Sequence, residues 1–67
     1  MFVRDIRYYA KNNESTTFWQ LMQRANVRRE IAIGYKKPAP IGVVLNPEKD
    51  EEIEWHDGDE LIVIAED

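Results

Sequence analysis

No cysteine occurs anywhere in the chain, which limits how it can be held together. Disulfide staples are excluded, as are thiolate metal sites and a cysteine nucleophile. The chain has only 67 residues. A core of that size is marginal, because a chain of about 60 residues buries only roughly 60% of the surface its unfolded form exposes. Small unstapled folds often gain stability by association. A dimer, or attachment to a larger protein, is therefore expected. The single histidine, His56, excludes a His-pair metal site. The longest unbroken apolar run is residues 61–65, whereas a membrane-spanning helix needs about 20 such residues. The opening Met1-Phe2-Val3-Arg4-Asp5 lacks the apolar stretch of a signal peptide. The expectation is one cytoplasmic domain over 1–67.

Charge divides the chain. Residues 1–37 hold eight basic and three acidic residues (+5), and residues 38–67 hold one basic and ten acidic (-9), for a net charge of -4. Such asymmetry marks an interaction surface, or two halves that neutralise each other across the fold. Net acidity argues against nucleic acid, because phosphate contacts need a clustered basic face.

The order of elements is strand, helix, strand, strand, short strand, strand. Residues 2–9 are rich in aromatic and β-branched side chains and predict a strand. Phe18, Leu21, Met22 and Ala25 recur at helical spacing and predict a helix over 16–27, with Ser15 or Asn13 as its N-cap. In the strand predicted over 30–35, Ile31, Ile33 and Tyr35 form one face. Glu30, Ala32 and Gly34 form the other, small enough for close packing. Pro38 and Pro40 end that ladder. A third strand covers 41–45, and Ile53 and Trp55 suggest a short extended piece. Asp57-Gly58-Asp59 is a turn, and 61–65 reads as a strand buried on both faces. The fold class is α+β: a small mixed or antiparallel sheet of about four to five strands with one helix packed on it.

No catalytic constellation is present: no nucleophile elbow, phosphate-cradling glycine loop or metal signature. The acidic stretch 48–54 lacks the spacing and glycine of an EF-hand and reads as a solvated loop. His56 reads as an exposed turn residue. The chain is therefore read as a non-enzyme without metal or cofactor. Trp19, Trp55 and Tyr8 are candidate interface residues, since Trp and Tyr are enriched among binding hot spots. Each would equally widen a small core. Arg28, Arg29, Lys36 and Lys37, with Arg24 nearby, are candidates for binding a small anionic ligand or an acidic protein surface. They would equally neutralise the acidic C-terminal half.

Three segments carry a resemblance. Ala32-Ile33-Gly34-Tyr35, then Val43-Val44-Leu45-Asn46-Pro47, then residues 57–67 (Asp-Gly-Asp-Glu-Leu-Ile-Val-Ile-Ala-Glu-Asp) occur in that order. With the preceding helix they resemble the C-terminal subdomain of RCK (TrkA-C) modules over about 14–67. The branch most similar is that of ion-channel proteins related to plant CASTOR and POLLUX. The nucleotide-binding half of a full RCK module is not among these residues, so the chain reads as a fragment of a longer channel protein or a free-standing relative. The resemblance implies a cytoplasmic regulatory, ligand-sensing domain of a potassium or other cation channel or transport system, at the inner face of the membrane. It further implies a homodimer that couples ligand state to a membrane pore. Its partner would be a channel or transporter subunit or the rest of a longer chain. Some members bind an ion or a small anionic ligand, cyclic dinucleotides included, at the dimer interface. Two alternatives remain: a protein-interaction module without ligand, and a β-rich dimeric DNA-binding regulator.

Overall fold

The computed structural model describes residues 1–65, so the last two residues of the Asp57-to-Asp67 motif lie outside it. The chain runs β1 (Phe2–Asp5), a 3-10 turn (Ile6–Tyr8), β2 (Ser15–Thr17), α1 (Phe18–Val27), β3 (Glu30–Lys37), β4 (Gly42–Leu45), β5 (Glu52–Glu54) and β6 (Glu60–Ala65). Four strands form a sheet in the order β1-β6-β3-β4, and β2 and β5 pair separately. Every pairing is antiparallel. Helix α1 packs on β3. The fold is thus α+β, with one helix on a small sheet, as expected.

The strand expected over 2–9 stops at Asp5. The Asp5 carboxylate accepts the backbone N–H of Arg7 at 2.9 Å and the Arg7 guanidinium at 3.0 and 3.1 Å. This local capping turns the chain and delivers Ile6 into the core. The helix starts two residues later than expected. Thr17, not Ser15 or Asn13, is its N-cap: the Gln20 N–H donates to Thr17 Oγ1 at 3.2 Å, and Gln20 Oε1 accepts the Thr17 N–H at 2.8 Å. This is a capping box built on Gln20. Residues 15–17 are extended because they pair with Glu52–Glu54. Tertiary pairing therefore moves the helix start. Phe18, Leu21 and Ala25 are buried, as the helical stripe requires, and Met22 packs beside them.

In β3 the expected faces hold for Glu30, Ile31 and Ala32 and are overturned beyond Ile33. Pairing with β6 jumps from Ala32↔Val63 to Gly34↔Ile62, leaving Ile33 as a bulge. A bulge adds one residue to one strand and reverses the alternation beyond it. Tyr35 consequently joins Glu30 and Ala32 on the buried face, while Ile31 is exposed. Gly34 is required where β4 approaches, because an added Cβ would collide with the Val44 carbonyl oxygen. In β6, Leu61, Ile62 and Val63 are buried but Ile64 is about half exposed, at 48%. The run 61–65 is thus not buried on both faces throughout. The core is centred on Trp55, which is wholly buried. Its ring meets Tyr35 edge-on, with centroids 5.3 Å apart, and its indole N–H donates to Thr16 Oγ1 at 2.8 Å.

Candidate functional site

The four basic candidates sit at opposite ends of β3. Arg28 and Arg29 precede the strand, and Lys36 and Lys37 close it. Seven extended steps separate Glu30 from Lys37, about 23 Å at the rise of a strand. One small ligand therefore cannot meet all four.

At the far end, Lys37 is turned inward. Its ammonium lies over the Trp55 ring, 5.2 Å from the centroid. It donates to the Glu54 carbonyl at 2.8 Å and to the Asp59 carboxylate. The same Asp59 oxygen accepts the His56 N–H at 2.8 Å. Asp59 is 2% exposed. Lys37 thus clamps the end of β3 to the 56–59 turn, and an external anion reaches it only by breaking that pair. This corrects its reading as a ligand residue. Lys36 is exposed on the opposite face and pairs in register with Glu60.

The near end is a different environment. Glu30 is buried, an unusual place for a carboxylate unless it is paired. It accepts the Tyr9 hydroxyl at 2.5 Å. Arg4 Nε stands 3.0 Å and Arg28 Nε 3.6 Å from its oxygens. Arg4 Nε is itself buried without an aligned hydrogen bond, so its contact with Glu30 is ionic. The Arg28 guanidinium lies 5.1 Å from the Tyr8 ring centroid and 5.5 Å from that of Tyr9. Arg4 lies 5.0 Å from that of Phe2. Burial, and then the bond to Glu30, push the Tyr9 hydroxyl up to about 12. Among the described residues, this cluster sets two guanidinium groups against one carboxylate beside an exposed aromatic ring, Tyr8, with Arg29 next in sequence. Arginine forks beside a ring suit planar anions.

Sequence reasoning missed Arg4, Tyr9 and Glu30 as members of this cluster. The one signal was Glu30 itself, a charged residue on an otherwise small strand face. Arg24 belongs elsewhere. It holds Glu14 at 2.8 and 3.0 Å and the Tyr9 carbonyl at 2.8 Å. That hydrogen-bonded guanidinium brings the Glu14 carboxyl down to about 2.

Of the three aromatic interface candidates, Tyr8 and Trp19 are exposed at 61% and 50%. Trp55 is buried, and that assigns it to the core rather than to an interface. His56 is exposed, with Nε2 3.0 Å from a Glu54 oxygen and Nδ1 2.9 Å from Asn13 Oδ1. Among the described residues, no three or more His, Asp or Glu side chains gather as metal ligands would.

No family model matches the chain. Individual proteins do. The chain is similar along nearly its whole length to plant CASTOR and POLLUX ion channels. It is 36% identical to the ion channel CASTOR of Lotus japonicus over 67 residues, which is 98% of this chain and 8% of that protein. It is 33% identical to the probable ion channel POLLUX of Oryza sativa over 66 residues, 97% of this chain and 7% of that protein. Against the probable ion channel POLLUX of Arabidopsis thaliana it is 34% identical over 64 residues, 94% of this chain and 8% of the relative. The chain thus spans less than a tenth of the length of these relatives. Among the described residues, no helix is long and apolar enough to cross a membrane.

Proposed function

We propose that the chain is a regulatory, ligand-sensing domain of a cation-channel system, of the RCK C-terminal kind, residing at the cytoplasmic face of the membrane and working as a homodimer. The observation that carries the reading is the similarity to plant ion channels across nearly the whole chain. The mechanism is population shift. A ligand that binds one dimer arrangement better than another biases the attached pore by its differential affinity. Arg28, Arg29 and Tyr8, at the near end of β3, are the groups assigned to an anionic ligand. Lys36 stands apart from them, and Lys37 supports the fold.

Thermal shift tests this directly. Inorganic phosphate, citrate, a cyclic dinucleotide and potassium chloride are titrated onto the intact chain at constant ionic strength. A ligand at 100 times its Kd stabilises the folded state by about 2.7 kcal/mol. The expected result is a concentration-dependent rise in Tm with at least one of the anions, lost in Arg28→Ala. No rise with any of them refutes ligand sensing and leaves a protein-interaction module.

A further inference from the structure

The four-stranded sheet has a second face that α1 does not cover. Val3, Ile31, Val43, Leu45 and Ile64 are 48–60% exposed and all lie on this side. Ile62, at its centre, is only 4% exposed although it stands outside the inner core. The five exposed side chains present on the order of 500 Å² of apolar surface, near the top of the ~300–600 Å² range for the largest patch on a typical monomer. With its charged rim, the face approaches the ~800 Å² that each partner buries in a stable complex.

The pattern on the two middle strands of this face is self-complementary, with Asp5 of the edge strand beside Glu60 held by Arg7 of its own chain. The pairing register sets Lys36 beside Glu60, Gly34 beside Ile62 and Ile31 beside Ile64. All six lie on the two middle strands, β3 and β6, with the sheet's centre line between them. A twofold axis along that line lays β6 of one copy over β3 of the other. Glu60 then faces the second copy's lysine, and Lys36 faces the second copy's glutamate. Ile64 of one copy meets Ile31 of the other, while Ile62 and Gly34 between them are already covered within each chain. A twofold across the strands would instead press the Lys36–Glu60 row onto apolar side chains, leaving charges buried without partners. Among the described residues, neither Lys36 nor Glu60 makes an ion pair within the chain.

We infer that a second copy of this chain packs on this face, sheet against sheet, about that axis, with two reciprocal Lys36–Glu60 ion pairs. Aligned packing of two twisted sheets about 10 Å apart is a standard solution for two such faces. The inference rests on the dimer reading above and adds the surface, the axis and the pairing residues.

Light scattering across a concentration series tests it with the full chain and the variants Lys36→Glu, Glu60→Lys and Ile64→Glu. The parent chain is expected to be a dimer. Each variant is expected to dissociate about tenfold or more readily: Lys36→Glu and Glu60→Lys bring like charges face to face, and Ile64→Glu buries an unpaired charge against Ile31. Mixing Lys36→Glu with Glu60→Lys is expected to restore dimers, because every facing pair is then of opposite sign. Restoration on mixing also shows that both variants are folded. A parent that stays monomeric throughout overturns both the dimer reading and this surface. A parent dimer untouched by Ile64→Glu and Lys36→Glu overturns the surface and leaves the dimer reading standing. Variants that dissociate but fail to reassociate on mixing overturn the axis.

Discussion

The Lys37–Asp59 clamp offers the sharpest test of whether a basic residue at the end of β3 serves the fold or a ligand. Replacing Asp59 by Asn keeps its volume but removes its charge. The Lys37 ammonium, whose side chain is 12% exposed, is left with the Glu54 carbonyl and the Trp55 ring. Breaking a buried ion pair from one side costs about 3–5 kcal/mol, because the remaining charge stays desolvated. A chain of this length has a total stability of about 3–10 kcal/mol. Asp59→Asn should therefore remove a third or more of it. Lys37→Met retains an apolar stem on Trp55 and leaves Asp59 with the His56 N–H. It should cost about 3 kcal/mol by the same reasoning. The double variant removes both charges and should cost clearly less than the sum, with a coupling of about 1.5 kcal/mol or more. Urea unfolding followed by Trp fluorescence reads all three. With a slope of about 1 kcal/mol per molar, each single variant should shift the midpoint down by about 3 M or unfold outright. Single effects below about 0.5 kcal/mol that simply add would refute the clamp. Lys37 would then be a solvated cation, available to an anionic ligand after all.

Three further outcomes follow from the geometry. Gly34→Ala should destabilise by about 1–3 kcal/mol in thermal melts, because its methyl group meets backbone that cannot swing aside. Thr17→Ala should cost about 1 kcal/mol and lower Tm by about 4–8 °C, whereas Ser15→Ala should not cap-destabilise the helix at all. Glu14 ionises in the folded chain at about 2 rather than its ordinary 4.5, chiefly through its hydrogen bonds with Arg24. Its folded value is depressed, so its contribution is present above about pH 4.5 and is lost as pH falls towards 2. Glu14→Gln should flatten the acid limb of a stability–pH curve in that window, and an unchanged limb would show that the Arg24 pair is solvated.

The helical stripe was legible because Phe18, Leu21, Met22 and Ala25 bury one face through local periodicity alone. The helix start was not, because Thr17 becomes the cap only when residues 15–17 pair with 52–54. The same limit applies to the candidate site. Arg28 and Tyr8 could be named from residue type, but their meeting through Glu30, Tyr9 and Arg4 joins β1, the 3-10 turn, the end of α1 and β3. The clamp at Lys37 likewise depends on Asp59, 22 positions away.

By itself the sequence determined the α+β class, the order of elements from α1 to β6 and the apolar stripe of α1, since these follow from hydrophobic period, turn residues and the absence of staples. It did not show the 3-10 turn or β2 before the helix. The tertiary structure alone decided which strand faces are buried and which charges are free. The bulge at Ile33 shows why: a single extra residue in the pairing of β3 with β6 reverses the alternation. It turns Tyr35 inward with Ala32, and no local pattern in β3 encodes where its partner strand slips. Burial then sorts chemically identical side chains. Lys37 is enclosed against Trp55 and Asp59, while Lys36, one residue earlier, stands on the open face beside Glu60.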